Sequence, residues 1–127
     1  LKPIVSALSK AGSRVSMFID AEAEQIEASK ELGASVVELH TGAYCDREGA
    51  ERDEELNRII NGAAQGDKLG LEVHAGHGLS YETVGPIAAI PQIQELNIGH
   101  FLVGEAIYVG FEATIKRMRA LMDEVRG

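Results

Sequence analysis

Two kinds of hydrophobic pattern alternate along the chain. Short runs rich in β-branched and apolar residues are followed by longer segments in which apolar residues recur at helical spacing. Four such strand–helix units follow Gly12, after an opening helix. Strands that alternate with helices in this way are typical of repeated βα units around a parallel sheet. The pattern therefore predicts an α/β fold.

The bounds of the predicted elements follow from where each pattern begins and ends. Predicted strands cover residues 14–19, 35–40, 71–75 and 95–99. Predicted helices cover residues 2–11, 21–32, 51–69, 80–90 and 111–125, and a short extra helix opens at His100 in the stretch HFLVGEAIYVG. We expect Asp20 and Ser80 to cap the helices that follow them. Pro86 should bend or shorten the helix over 80–90.

Two further patterns predict which helix residues are buried and which are exposed. The last predicted helix is amphipathic, and its buried face is expected to consist of Ile115, Met118, Leu121 and Met122. The acidic cluster at residues 51–55 is interpreted as a solvated helix start, which the helix dipole favours.

Size and charge limit the classes of protein that fit. The 127 residues, 45% of them hydrophobic, are enough for one globular domain, so we expect residues 1–127 to belong to a single domain. The formal net charge of −8 argues against nucleic-acid binding, which needs clustered Lys and Arg. A phosphate-bearing ligand would therefore have to be held by local dipoles.

The chain has one cysteine and no long apolar run. Cys45 excludes an internal disulfide and is interpreted as an inert thiol in a loop. Without a signal peptide or membrane segment, we expect a soluble cytoplasmic protein. The first residue is Leu1 rather than Met, and the chain opens inside a predicted helix, so we expect it to be part of a longer protein.

Polar residues concentrate at the carboxyl ends of the predicted strands, where parallel α/β sheets bind their ligands. These residues are Asp20, Glu38, His40, Thr41, His74, His77 and His100. Any one of them is equally well explained as a capping or packed polar residue. Their joint placement is what predicts a ligand site.

The individual side chains differ in what their surroundings favour. Glu38 and His40 have the same parity on their strand, so they should point to one face of the sheet. His74 lies within a strand, where a structural histidine is as plausible as a functional one. His77 lies in a glycine-flanked loop that lets a ligand come close, and an imidazole there suits general acid–base chemistry.

Metal binding is an alternative for the same residues. The four histidines with Asp20 and Glu38 include ligand types that zinc or manganese accepts. The HxxH spacing of His74 and His77 differs from the helical HExxH motif, and positions i and i+3 of a strand face opposite sides. The pattern therefore gives a metal site little support.

The segment Asn97-Ile98-Gly99-His100 enters the extra helix and offers an anion site. Amides at a helix N-terminus have no partner within the helix and favour phosphate. In barrels of βα units, phosphate often binds at the loops of the last strands and at a short extra helix. This segment could also be a simple strand ending.

Several segments together resemble the C-terminal half of the pyridoxine 5'-phosphate synthase family. The resemblance covers essentially the whole chain, and AGHGL followed by ELNIGH is its most specific part. The segments that carry it are RVSMFIDAEAEQI, ELHTGAYCD, AGHGLSYETVGPIAAIPQIQELNIGHFLVGEAI and RMRALMDEVRG.

The resemblance implies a (β/α)8 TIM barrel, of which this chain would supply the last four βα units as a half-barrel. The family condenses 3-amino-2-oxopropyl phosphate with 1-deoxy-D-xylulose 5-phosphate, releasing phosphate and water. It uses no metal or organic cofactor and assembles as a homo-octamer. Its partners are thus small phosphorylated substrates and copies of itself, without nucleic acid or membrane.

The resemblance also assigns roles to particular residues. His77 matches the family's proton donor, and Gly78 matches a residue that binds the aminoketone phosphate. Gly99 and His100 match the pair that receives the phosphate of that substrate. Glu38 matches a carboxylate at the mouth of the active site, which we interpret as a proton carrier or an orienter of the amine.

Two other functions remain as hypotheses. One is a metal-dependent barrel hydrolase that uses His40, His74 and His77. The other is a non-enzymatic flavodoxin-like module with Asp20 as an acidic residue at a strand end. If the synthase hypothesis is right, the remaining catalytic residues lie outside this chain, and isolated residues 1–127 should be inactive, since a barrel of this type needs about 250 residues.

Overall fold

The computed structural model describes residues 1–127 and has strands and helices in the predicted order. The strands are β1 (Ser16–Ile19), β2 (Val36–His40), β3 (Glu72–Gly76) and β4 (Ile93–Asn97). The helices are α1 (Lys2–Lys10), α2 (Ala23–Leu32), α3 (Gly42–Asp46), α4 (Gly49–Lys68), α5 (Val84–Ala88), α6 (His100–Val109) and α7 (Phe111–Arg126). No helix combines the length and apolar character needed to cross a membrane. The extra helix predicted at His100 is confirmed as α6.

The four strands form one parallel sheet in the order β1-β2-β3-β4. The α/β prediction is therefore confirmed. Neighbouring strands are also consecutive in sequence, so the order never reverses, and the sheet has no switch point of the kind that doubly wound sheets use for ligands. The arrangement is consistent with part of a TIM barrel.

The two faces of the sheet differ in chemistry. Side chains alternate between faces along each strand. On β2 and β3 one face is apolar and packs against α2 and α4, with Val37, Leu39, Val73 and Ala75 almost completely buried. The opposite face carries Glu38, His40 and His74. The hydrophobic core therefore lies on one side of the sheet, and the ionisable side chains lie on the other, which we call the polar face although it also carries Val36 and Phe18.

Both expected helix caps are wrong. The N-cap residues of α2 and α5 are Glu22 and Thr83, and neither makes a side-chain capping bond. The chain turns before each helix begins: the backbone N–H of Glu22 donates to the carbonyl of Asp20, and the N–H of Glu82 donates to the hydroxyl of Ser80. The turns shift both helix starts towards the C-terminus. The shortening expected at Pro86 is confirmed, because α5 has only 5 residues.

Other elements also differ from the prediction. The segment expected to be a polar loop contains α3, whose Tyr44 is buried. Helix α4 begins at Gly49, two residues before the acidic cluster expected to open it. Strand β4 begins at Ile93 rather than at residue 95, because the Ile93 side chain is buried in the core.

Two predictions about burial also need correction. Ile115 is 50% exposed, and the buried residues of α7 are Thr114 and Met118. Glu55, expected to be solvated, is only 8% exposed. Its carboxylate lies 2.6 Å from guanidinium nitrogens of both Arg47 and Arg58, which compensate its burial.

Candidate functional site

A cavity of about 620 Å³ lies at the carboxyl ends of the strands. Glu38, His77, Gly78, Gly99 and His100, which are the residues expected from the sequence to form the site, all line it. The rest of its wall consists of Phe18, Leu79, Asn97, Ile98 and Phe101. Segments far apart in the sequence therefore converge on one concave site, as expected for a parallel sheet.

His77 has an unusual backbone conformation. Its φ of 80° makes it the only residue other than glycine with a positive φ. This conformation is strained for an L residue with a side chain. The hydroxyl of Thr41 stabilises it, because its oxygen lies 2.8 Å from the carbonyl oxygen of Gly76 and 2.6 Å from that of His77. Thr41, expected only as a polar residue at a strand end, thus supports the loop that carries His77.

Helix α3 contacts the loop that carries His77. The Tyr44 hydroxyl donates to the carbonyl of Thr83, and the Cys45 thiol contacts the carbonyl of His77 at 3.8 Å. Burial raises the pKa of the Cys45 thiol and that of the Tyr44 hydroxyl. A raised pKa fits the inert thiol expected at Cys45, although Cys45 lies in a helix rather than a loop.

His77 lies against a second imidazole. The rings of His40 and His77 stack with centroids 4.5 Å apart and an angle of 25° between their planes. Phe18 packs against both rings, with centroid distances of 5.2 Å to His40 and 6.4 Å to His77. Phe18 and His77 line the cavity, and His40 packs against both rings from behind this wall. The sequence predicted a catalytic role for His77, and named His40 among the polar residues at the strand ends.

Glu38 is held by a residue of β4. Asn97 Nδ2 donates to Glu38 Oε2 at 2.9 Å. Gly76 lies between the two strands that carry these residues, and a Cβ there would come within 2.4 Å of Glu38 Oε1. The missing side chain at residue 76 therefore makes room for the carboxylate at the edge of the cavity.

The N-terminus of α6 borders the cavity. The backbone N–H of Val103 donates to the carbonyl of Gly99 and closes the first turn of the helix. The amides of residues 100–102 therefore have no acceptor within the helix, and no side chain caps them. Such amides bind anions well, because the helix dipole adds to their hydrogen bonds.

His74 lies on the polar face of the sheet, away from this cavity. Its Nε2 is 2.7 Å from Glu72 Oε1, and Arg14 also bonds that carboxylate. The hydrogen bond with His74, and then the guanidinium of Arg14, lower the pKa of Glu72. His74 is only 5% exposed, so the structural hydrogen bond expected for it is present.

The structure separates the HxxH pair that the sequence suggested as ligands. His74 lies within β3 among carboxylates, whereas His77 lies in the loop beyond the strand. Nowhere in the chain do three or more His, Cys, Asp or Glu side chains form a group arranged to hold a metal ion. Asp20, the acidic residue of the flavodoxin-like hypothesis, does not line the cavity.

Three features of the site were not predicted from the sequence. Phe18 has the opposite parity to the core residues Met17 and Ile19, and this alternation was a usable signal for an aromatic ring on the polar face. Asn97 lay in the segment noted for anion binding, but its contact with Glu38 depends on the register of two non-adjacent strands. The stacking of His40 on His77 had no signal in the sequence.

Together, the fold and the cavity define a parallel α/β protein with a concave ligand site at the carboxyl ends of its strands. The family model described as "Pyridoxal phosphate biosynthesis protein PdxJ" matches residues 1–124. The chain belongs to this family.

Similar proteins carry one common name. The chain is 58% identical over 130 residues to the "Pyridoxine 5'-phosphate synthase" of Jannaschia sp. (strain CCS1), covering 99% of this chain and 52% of that protein. Proteins of the same name from Rhodospirillum rubrum and Caulobacter sp. (strain K31) are 58% and 63% identical, over 97% and 94% of this chain and 50% and 49% of theirs. The chain thus spans about half the length of the curated relatives it matches.

Proposed function

We propose that the full-length protein is a pyridoxine 5'-phosphate synthase and that this chain supplies the last four βα units of its (β/α)8 barrel. One observation carries the proposal: Glu38, His77, Gly78, Gly99 and His100, the residues that match the family's site, line a single cavity. The common name of the relatives supports the same activity.

The sheet fits half of a barrel wall. Its strands follow the chain order, its helices cover one face, and its polar face would become the barrel interior. Strands β1 and β4 each have an unpaired edge, which the other four strands of a closed barrel would cover. By the family resemblance, the proposal includes a cytoplasmic homo-octamer that works without metal or organic cofactor.

The N-terminus of α6 is the proposed phosphate site. The amides that follow Gly99 would donate to phosphate oxygens of 3-amino-2-oxopropyl phosphate, and His100 at the start of the helix would add a further donor. Gly78 lines the same cavity, and its backbone can approach the same substrate. Local dipoles of this kind explain how a chain with a net charge of −8 would bind a phosphorylated ligand.

His77 and Glu38 are the proposed proton-transfer groups. Forming the pyridine ring from an amine and two ketones requires carbinolamine and imine formation, enolisation, an aldol-type closure, and loss of water and phosphate. Departing hydroxyl groups need a proton donor, which is the role proposed for His77. Glu38, oriented by Asn97, would carry protons or orient the amine of the substrate.

The experiment that tests this function is product formation by the purified full-length protein. Incubation with both substrates should yield pyridoxine 5'-phosphate, detected chromatographically, and one inorganic phosphate per product. Added chelator should leave the rate unchanged. If no product forms, the proposal is wrong, and if activity disappears with the chelator and returns with a divalent metal, the metal-dependent enzyme is favoured instead.

A further inference from the structure

The imidazole of His77 is oriented by packing rather than by hydrogen bonds. Thr41 holds only the carbonyl of His77, and the ring nitrogens have no partner in the structure. Ring nitrogens without a protein partner suit a proton donor, because either nitrogen can form a hydrogen bond with the substrate. Because the ring of His77 makes no hydrogen bond and its backbone is strained, packing contacts must determine the orientation of the ring. Of the two rings that pack against His77, that of His40 is the nearer, with centroids 4.5 Å apart compared with 6.4 Å for Phe18.

The orientation of His40 is itself fixed. The backbone N–H of Gly42 donates to His40 Nδ1 at 3.2 Å. The neutral ring must therefore carry its proton on Nε2. Phe18 packs on the same ring, with centroids 5.2 Å apart. His40 thus offers His77 a flat surface that is held by a backbone hydrogen bond and a neighbouring aromatic ring.

Gly42 provides the space in which both imidazoles fit. A Cβ at residue 42 would lie 2.4 Å from His40 Cε1 and 3.2 Å from His77 Cδ2. The first distance is a severe overlap, because carbon atoms in contact are normally about 3.5 Å apart or more. Gly42 is also buried. Any side chain at residue 42 would therefore displace the stacked pair.

We propose that His40 is a positioning residue for the proposed synthase reaction: its stacked ring holds the imidazole of His77 at the angle from which His77 donates its proton. The inference rests on the proposed function of His77. It adds a role for His40 and for Gly42, whose missing side chain leaves room for the stacked rings of His40 and His77. His40 itself does not exchange a proton with the substrate.

Variants of the full-length protein test this role through kinetics. His40→Ala removes the stacking surface, so kcat should fall about 10- to 100-fold, the scale expected when a reacting group is misplaced by about 1 Å. KM for the aminoketone phosphate should stay within about twofold, because the phosphate site is untouched. His40→Phe keeps an aromatic face without an acceptor nitrogen, and it should recover most of kcat, to within about threefold of the wild type.

A matched histidine variant controls for general damage. His74→Asn removes an imidazole on the same sheet face that does not contact His77, so kcat should be unchanged. Crystal structures of the wild type and both His40 variants provide a second measurement that does not need activity. The His77 ring should keep its orientation in His40→Phe and lose it in His40→Ala.

The outcomes distinguish the inference from the proposed function. A wild-type kcat in His40→Ala, or an equally large loss of kcat in His40→Phe and His40→Ala, would overturn the positioning role. An unchanged His77 ring in the His40→Ala structure would also overturn it. If the wild type forms no product, the synthase proposal fails, and the crystal structures still decide whether His40 orients His77.

Discussion

Side chains at the edge of the cavity differ in whether hydrogen bonds fix their orientation. Glu38 is bonded by Asn97, and the backbone of His77 is held by Thr41, but the ring of His77 has no hydrogen-bond partner. The place of His77 at a ligand-accessible cavity was predictable because glycines flank it in the sequence. The stacking of His77 on His40 was not, because it depends on how α3 brings Gly42 under both rings, and the sequence predicted a loop there.

The bond between Asn97 and Glu38 gives a prediction at this scale. In the full-length protein, Asn97→Ala should lower kcat/KM about tenfold or more, since a hydrogen bond to a charged group contributes about 1.5–3 kcal/mol. Steady-state kinetics would measure the effect. Asn57→Ala is the matched control, because Asn57 is exposed on α4 and does not line the cavity. Equal kinetics of both variants and the wild type would refute the orienting role of Asn97.

The lowered pKa of Glu72 predicts a pH-dependent stability effect. A carboxylate whose pKa falls on folding stabilises the folded state above its ordinary value of 4.5, and this contribution disappears as the pH falls through the lowered pKa. Glu72→Gln should therefore lower the free energy of unfolding at pH 7 and have a smaller effect near pH 3. Denaturant unfolding at both pH values measures this, with exposed Glu54→Gln as the control. A Glu72→Gln effect of the same size at both pH values would contradict the account.

At the scale of elements, hydrophobic patterning predicted most of the fold. The strands and the long helices were predictable because their apolar residues meet in one core. Helix starts were predicted less well, because the turns after Asp20 and Ser80 use local hydrogen bonds that propensity alone does not reveal. The burial of Glu55 was not predictable for a similar reason: it depends on an ion pair with Arg47, which lies outside α4.

Helix α4 offers a prediction from two adjacent isoleucines. Ile59 is completely buried against the sheet, whereas Ile60 is 39% exposed. Ile59→Ala should lower the free energy of unfolding by about 2–5 kcal/mol, the range for large-to-small core substitutions. Ile60→Ala, the control, should cost about 1 kcal/mol or less. Denaturant titration would measure both, and equal losses would show that α4 packs through a different face.

At the scale of the whole molecule, the sheet has two unpaired edges and an open polar face. The hydrophobic pattern predicted its βα units, whereas further strands were predicted only by the family resemblance, because the pattern within this chain does not show what pairs with the free edges of β1 and β4. The relatives are about twice as long as the chain. Under the proposed function, this chain would form half of a barrel and would hold only part of a site that two phosphorylated substrates share.

Isolated residues 1–127 should therefore form no pyridoxine 5'-phosphate, whereas the full-length protein should form it under the same conditions. The physical reason is that, under the proposed function, the groups that bind the second substrate would lie in the other half of the barrel. Product measured by chromatography at equal protein concentrations provides the comparison. Turnover by the isolated chain at the full-length rate would mean that its single cavity is a complete active site.

The most direct test of the proposed site is the kinetics of His77→Asn in the full-length protein. Asparagine cannot donate a proton as an imidazolium does, so kcat should fall about 100-fold or more, the lower range for loss of a general acid. Binding of the aminoketone phosphate, measured by calorimetry, should be retained, because the N-terminus of α6 is intact. Unchanged kcat in His77→Asn would contradict the role of His77 and with it the proposed mechanism.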